Sequence, residues 1–413
     1  AGNEALGQLG GTLQGAAGVG LGSEEFKQRM LERMEGGMEE NHTGQLHKKI
    51  PDPVFRNMKL INEKQPPTLI SWNITLKCPL KCDHCYVDAG DREVADVITT
   101  KEAFHVIDQI CDVGRPVLIL SGGEPLCRPD IFDIARYGTS KGLRIGLGTS
   151  GYFLDKKTVQ KLKESGVKAV AVSLDSDDPE LHDAFRGVSG VWERAVQAIR
   201  YCLEEGFYVQ INMSVIRPEI SAVMRGINFG REIGVRDFQV FFPVSTGRGK
   251  EMGVESPEQY ERIIREMLVA SRDVDINIRP TCAPQFRRIA EEEGIINPRW
   301  GRGCIAGITY CRIYANGDVT PCPYIPVSSG NLRETSFYDI WYHSKIFTAL
   351  RDENALTGSC GICEYKTICG GCRARAYRGK DAFSTGWCDG LMPPEQISAD
   401  LCSADPWCTY SPT

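Results

Sequence analysis

Between residue 68 and about residue 295, short β-branched runs alternate with helical patterns, and this alternation constrains the fold more than any other feature of the chain. The runs TLISWNIT (68–75), PVLIL (116–120), RIGLG (144–148), KAVAVSL (168–174), YVQINMSV (208–215) and DFQVFF (237–242) read as strands. Helical segments fit between them, such as TTKEAFHVIDQICDVG, with a threonine start and a glycine stop, and KKTVQKLKESG. Parallel strands need crossovers long enough to hold a helix, so this order predicts βα units in one parallel sheet. Six such units predict an α/β fold, a partial (β/α)6 TIM-like barrel whose chemistry sits at the C-terminal ends of the strands.

The unusual residues fall on that rim. Cys78-Pro-Leu-Lys-Cys82-Asp-His-Cys85-Tyr86 follows the first strand, Ser121-Gly-Gly-Glu-Pro125 the second and Thr149-Ser-Gly151 the third, while Ser173-Leu-Asp175 ends the fourth. Cysteine thiolates are the usual ligands of iron-sulfur clusters. Three of them on one loop can hold three irons of a cubane and leave the fourth iron open to a substrate or cofactor. Structural zinc is the competing reading. It needs a fourth ligand, and the local candidate, His84, lies inside the loop with poor geometry for joining its neighbours.

From about residue 296 the texture changes to cysteines, glycines and short connections, and eleven cysteines lie from Cys282 to Cys408. So loop-rich a segment depends on metal for its fold. Seventeen cysteines, an odd count with tight CxxC pairs and no export signal, point to metal binding in a reducing cytoplasm. Cys111 and Cys202 fall in helical patterns and read as structural thiols. A net charge of -6 offers no basic surface for a phosphate backbone, which excludes nucleic acid as the expected partner. No apolar run reaches the roughly 18 residues that a membrane span needs. The start, AGNEALGQLGGTLQGAAGVGLG, lacks a basic n-region and a continuous apolar stretch, so it reads as a flexible Gly/Ala-rich tail, followed by one amphipathic helix at EEFKQRMLERM.

CxxxCxxC followed by an aromatic, then Gly-Gly-Glu-Pro, then SLDSDDPELHDAFRG, resembles the radical S-adenosylmethionine (SAM) superfamily. The resemblance implies that Cys78, Cys82 and Cys85 bind a catalytic 4Fe-4S cluster whose open iron is chelated by the methionine part of SAM. It places Tyr86 by the adenine, and Gly122, Gly123 and Glu124 at the amino group. Ser173 and Asp175 then lie near the ribose or methionine, and Arg186 binds the cofactor carboxylate or stabilises a helix end. An ammonium group needs acceptors, which a carboxylate and strand-end carbonyls supply, and glycines let the backbone approach closely.

The distal cysteines are similar to the SPASM extension of that superfamily, which implies two auxiliary 4Fe-4S clusters and three in all. By that pattern Cys304, Cys311, Cys322 and Cys372 hold the first, and Cys360, Cys363 and Cys369 hold the second with a late cysteine. Cys388, Cys402 and Cys408 compete to close it; Cys408, in Asp-Pro-Trp-Cys, is favoured, with the segment around DGLMPPEQISADLC as an insertion. Zinc ribbons remain an alternative, because CxxC pairs also suit zinc. The expected domains are an N-terminal extension (1–67), a radical SAM partial barrel (68–295) and a SPASM domain (296–413). Arg248 is a candidate clamp for a substrate carboxylate, and Arg302, Arg373 and Arg375 flank cluster cysteines, where they tune charge or solubilise the surface.

The implied activity is that of a radical SAM oxidoreductase or lyase that cleaves SAM to a 5'-deoxyadenosyl radical and takes hydrogen from a substrate C–H. GCIAGITYCRIYANGDVTPCPYIPVSSGNLRE and CGICEYKTICGGCRARAY are similar to the decarboxylases and side-chain-removing enzymes of alternative haem and haem d1 synthesis, which implies a tetrapyrrole carboxylate as substrate. A SPASM maturase acting on a peptide or a metalloenzyme is the alternative, and a non-enzymatic cluster carrier would not need the Gly-Gly-Glu-Pro segment. Either enzyme needs an electron donor such as flavodoxin or ferredoxin.

Overall fold

The computed structural model of the protein describes residues 64–251, 256–378 and 401–412, all within the unit Lys59–Thr413. The expected N-terminal tail and helix, and Cys388, lie outside the described residues. All six expected strands form, as β1 (Leu69–Asn73), β2 (Val117–Ser121), β3 (Arg144–Thr149), β4 (Ala169–Ser173), β5 (Tyr208–Ser214) and β6 (Asp237–Phe241). Between them run α1 (Thr100–Val113), α2 (Ile131–Ser140), α3 (Lys156–Glu164), α4 (Pro179–Arg186), α5 (Val191–Glu204) and α6 (Ile220–Glu232). After β6 come α7 (Pro257–Ala270) and α8 (Phe286–Glu292). The threonine start of α1 is a capping box: Thr99 Oγ1 accepts from Glu102 N at 3.3 Å, and Thr99 N donates to Glu102 Oε2 at 2.8 Å.

The sheet is longer than the sequence pattern suggested. β7 (Asn277–Thr281) pairs with β6, β8 (Tyr310–Ile313) pairs with β1, and β9 (Val319–Thr320) runs antiparallel to β8, giving the order β7-β6-β5-β4-β3-β2-β1-β8-β9. The pairs from β7 through β8 are parallel and the sheet stays open between β7 and β9, as a partial barrel does. Proline and arginine in NIRPT hide β7 from a β-branched pattern, and Pro280 is tolerated because β7 is an edge strand. β8 lies beyond residue 296, so the chain returns to the barrel sheet after the expected boundary.

Alternation sorts the side chains. Ile70, Trp72, Leu118, Leu120, Val170, Val172, Ile211 and Val240 are fully buried against the helices, each such aliphatic contributing about 1.5–3 kcal/mol. Their neighbours Ser71, Ile119, Ser121, Ala171, Ser173, Gln210, Asn212, Gln239 and Arg279 are half-buried on the inner face. The C-terminal segment docks on α1 through buried Gln109, which donates to Leu332 O at 3.1 Å and accepts from Phe337 N at 2.9 Å. No helix among the described residues is long and apolar enough to cross a membrane.

Gly230 of α6 lies over the sheet, and a Cβ there would stand 2.6 Å from both Ile211 Cδ1 and Phe238 Cε1. Gly→Ala in a helix ordinarily stabilises by about 1 kcal/mol. Here overpacking wins, and Gly230→Ala is expected to destabilise by about 1–3 kcal/mol, read as a fall in melting temperature.

Candidate functional site

The cysteine loop leaves β1 and is held by its own backbone. Cys78 N donates to Gly90 O at 2.8 Å, and Lys81 N and Asp83 N donate to Arg186 O and Phe185 O, both at 3.1 Å, at the end of α4. Each thiol meets a donor: Leu80 N lies 3.4 Å from Cys78 Sγ, Ala89 N 3.3 Å from Cys85 Sγ, and Arg186 Nη1 3.9 Å from Cys82 Sγ. Sulfur atoms facing N–H donors suit thiolates that carry an iron-sulfur cluster. Burial pushes the Cys78 thiol up to about 12, with the Leu80 amide pulling the other way.

Gly122 and Gly123 sit against this loop. Gly123 N donates to Thr75 O at 2.9 Å and Glu124 N to Lys77 O at 2.8 Å. A Cβ on Gly122, whose φ is 151°, would strike the Thr75 carbonyl, and one on Gly123 would come within 2.5 Å of Lys77 O and 3.0 Å of Cys78 Cβ. Only glycine allows the second strand's end to lie so close to the cysteines.

Other expected cofactor residues stand behind this layer. Glu124 is fully buried, and its carboxylate accepts from Thr149 Oγ1 at 2.8 Å and from Ser150 N at 2.9 Å, tying the β2 and β3 ends together. Burial raises its pKa against the pull of those donors. Asp175 accepts from Arg186 Nε at 2.7 Å and Nη2 at 3.0 Å, and from Ser214 N at 2.9 Å. Burial opposes the Asp175 charge, but Arg186 and His182 hold its carboxyl well below the usual range. Ser173 ends β4 on the half-buried inner face.

His84 stacks on Phe185 with ring centroids 4.3 Å apart, and burial, then Arg186, press its pKa to about 3, leaving a neutral imidazole. Among the described residues, no three His, Cys, Asp or Glu side chains converge closely enough for a single metal ion. Arg248 faces the loop: its Nε donates to Cys82 O at 2.8 Å and its Nη1 to Asp88 Oδ1 at 2.6 Å, so it braces the cysteine loop.

The distal cysteines fall into two groups. Cys282, Cys322 and Cys372 share one apolar cluster with Tyr324. Burial, then Cys372 and Cys304, push Cys282 up to about 12, offset by Arg375 and Tyr324. Cys311 is elsewhere. It lies on β8 beside Ile70, fully buried in the barrel core, with Arg351 as its charged neighbour. Strand alternation turns its side chain away from the thiols of Cys304, Cys322 and Cys372, whose near neighbour is Cys282. The signal for Cys282 was its position directly after a strand, on the rim that carries Cys78. NIRPT carries no β-branched run, so the sequence does not mark that strand end.

Cys360, Cys363, Cys369 and Cys408 line one cavity with Gly370, Gly371 and Tyr410. Cys402 is buried apart from it, and its carbonyl accepts from Thr357 N at 2.8 Å. Asp405 joins the two groups, pairing with Arg375 at 2.9 Å and accepting from Cys372 N at 2.8 Å, while its own N lies 3.5 Å from Cys360 Sγ. Arg302, Arg373 and Arg375 are all buried; Arg302 donates to Thr367 O at 2.9 Å and Arg373 to Ser403 O at 2.8 Å. They tie loops together. Between the proximal and distal cysteines, Tyr86 meets Tyr324 edge-on at 5.5 Å, and Tyr324 contacts Cys282.

Three comparisons bear on this arrangement. The Radical SAM superfamily model matches residues 72–221, and the SPASM iron-sulfur cluster-binding domain model matches residues 304–373. The chain is 40% identical over 357 residues to the AdoMet-dependent heme synthase of Methanosarcina barkeri, covering 84% of this chain and 97% of the relative. It is 27% identical to the pre-heme d1 synthase of Dinoroseobacter shibae, over 74% of this chain and 81% of that one. The structure of Streptococcus suis SuiB bound to precursor peptide SuiA shares the fold, with a TM-score of 0.62, 20% identity and coverage of 91% and 88%.

Replacing Asp175 with Asn leaves the Arg186 guanidinium buried and unpaired beside Cys82, which is expected to cost about 3–5 kcal/mol. An Asp175→Asn, Arg186→Met double variant should recover part of that loss in melting temperature. Because the folded carboxyl is depressed, its stabilisation is present above about pH 4 and declines as acid protonates the unfolded chain, and Asp175→Asn should flatten that acid limb.

Proposed function

Because the chain belongs to the radical SAM superfamily with a SPASM extension, in the company of the AdoMet-dependent heme synthases, we propose that it cleaves SAM reductively and takes hydrogen from a carboxylate side chain of a haem precursor, in oxidative decarboxylation or side-chain removal. The 40% identity across 97% of the heme synthase is the observation that carries the substrate class. Bound together, a three-cysteine cubane and SAM supply a carbon radical able to take hydrogen from an unactivated C–H.

The chain's own residues prepare and contain that chemistry. Cys78, Cys82 and Cys85 would hold the cluster, with the Leu80 and Ala89 amides and Arg186 directed at the sulfurs. Arg248 and α4 fix the loop's shape, and Gly122 and Gly123 admit the cofactor's amino group beside Cys78. Tyr86, held by Arg312, would lie by the adenine, Glu124 by the amino group and Asp175 near the ribose or methionine, while Arg186 steadies Asp175 and the cysteine loop. Cys282, Cys304, Cys322 and Cys372 would carry a first auxiliary cluster, and Cys360, Cys363, Cys369 and Cys408 a second. Tyr324 touches both Tyr86 and Cys282, and a cluster held by Cys282, Cys304, Cys322 and Cys372 would supply an electron acceptor on that side. A flavodoxin or ferredoxin is the expected source of the initiating electron.

Iron and sulfide analysis of the loaded protein should give about twelve irons per chain, four for each cubane. Cys82→Ala should abolish 5'-deoxyadenosine formation while keeping the distal irons. Cys282→Ser should lose about four irons, whereas Cys311→Ser should keep its iron. Substrate-dependent 5'-deoxyadenosine with an iron porphyrin carboxylate is the decisive assay; a response to a peptide alone would put a maturase in its place.

A further inference from the structure

The inner face of the barrel carries two arginines with no carboxylate in ion-pair range among the described residues. Arg312 of β8 is 3% exposed. Its guanidinium lies 4.5 Å from the Tyr86 ring centroid and 5.4 Å from that of Tyr314, and it donates to Asn73 Oδ1 and the Tyr86 hydroxyl. Its Nε and the Asn73 Nδ2 are both buried without a hydrogen-bond partner. Arg279 of β7 is half-buried, and its side chain makes no hydrogen bond or ion pair among the described residues. Its charged neighbour is another cation, Arg287 of α8, so burial first and Arg287 second both depress its pKa.

By register, Arg312 stands beside Ser71 and Arg279 beside Gln239, so both sit on the inner face, with uncharged Gln210 and Asn212 on strands between. A buried guanidinium cannot shed its proton and costs several kcal/mol unless an anion meets it. Buried charges are therefore paired, and here no described residue provides an acid. Two such cations and an amide donor without a partner on one concave surface describe a ligand that carries at least two carboxylates.

We infer that Arg279 and Arg312, with the Asn73 amide, select the substrate by binding carboxylates of a planar polycarboxylate ring. This rests on the proposed function and names the groups that read its substrate. The bidentate fork of arginine matches a carboxylate, and each pairing is made only when the ligand enters.

The test uses the cluster-loaded full chain, titrated with an iron porphyrin tetracarboxylate and with its tetramethyl ester, following the Soret band. Arg279→Gln and Arg312→Gln are each expected to weaken binding of the acid about tenfold while leaving the ester unchanged. Arg279→Gln should not lower the melting temperature of the ligand-free protein, because it removes an uncompensated charge. Arg312→Lys, which keeps the charge, serves if Arg312→Gln does not fold, and it should bind the acid more tightly than any neutral variant that folds. Variants that bind the acid as wild type does, or an acid and an ester that weaken together, overturn the inference alone. A wild-type protein that binds neither porphyrin sinks the proposed function along with it.

Discussion

The buried Asp175–Arg186 pair is the joint on which the proximal site depends. Asp175 lies just beyond β4 and accepts a backbone N–H from the end of β5, while Arg186 closes α4, lends its carbonyl to Lys81 N and points a guanidinium nitrogen at Cys82 Sγ. Four pieces of chain meet through two side chains. With both side chains withdrawn from water, the pair is worth little beyond its own desolvation, yet removing either partner strands a charge in the interior. Its geometric role is to fix where Cys82 sits relative to the strand ends.

The same device recurs at the distal cysteines. Asp405 receives Arg375, Gln285 and the Cys372 amide, and its own amide faces Cys360, so one carboxylate sets the spacing between two thiol groups. Arginines that flank cysteines in the sequence are buried ties here, satisfied by carbonyls. A region with few regular elements needs such ties, because it has little apolar core to order it.

Against that background Arg279 and Arg312 stand out by lacking an acid among the described residues. Buried Arg186, Arg302, Arg373 and Arg375 are each answered by a carboxylate or by carbonyls. On the inner face no described carboxylate meets these two cations, which is where a polyanionic ligand belongs.

The periodicity of the chain determined the six central strands, their helices and the rim on which the cysteine loop and Gly-Gly-Glu-Pro meet, because alternation and βα order are local properties. The spacing of Cys78, Cys82 and Cys85 fixed a three-thiol loop for the same reason. Tertiary structure decided the rest. Cys311 and Cys282 look alike as letters, but the pleat of β8 turns one into the core while the end of β7 presents the other to Cys304, Cys322 and Cys372. Arg248 could have faced solvent or substrate and instead grips the loop 160 residues before it. Pairings across such distances are set by how the sheet curls and which side chains it brings into reach, and no local pattern encodes them.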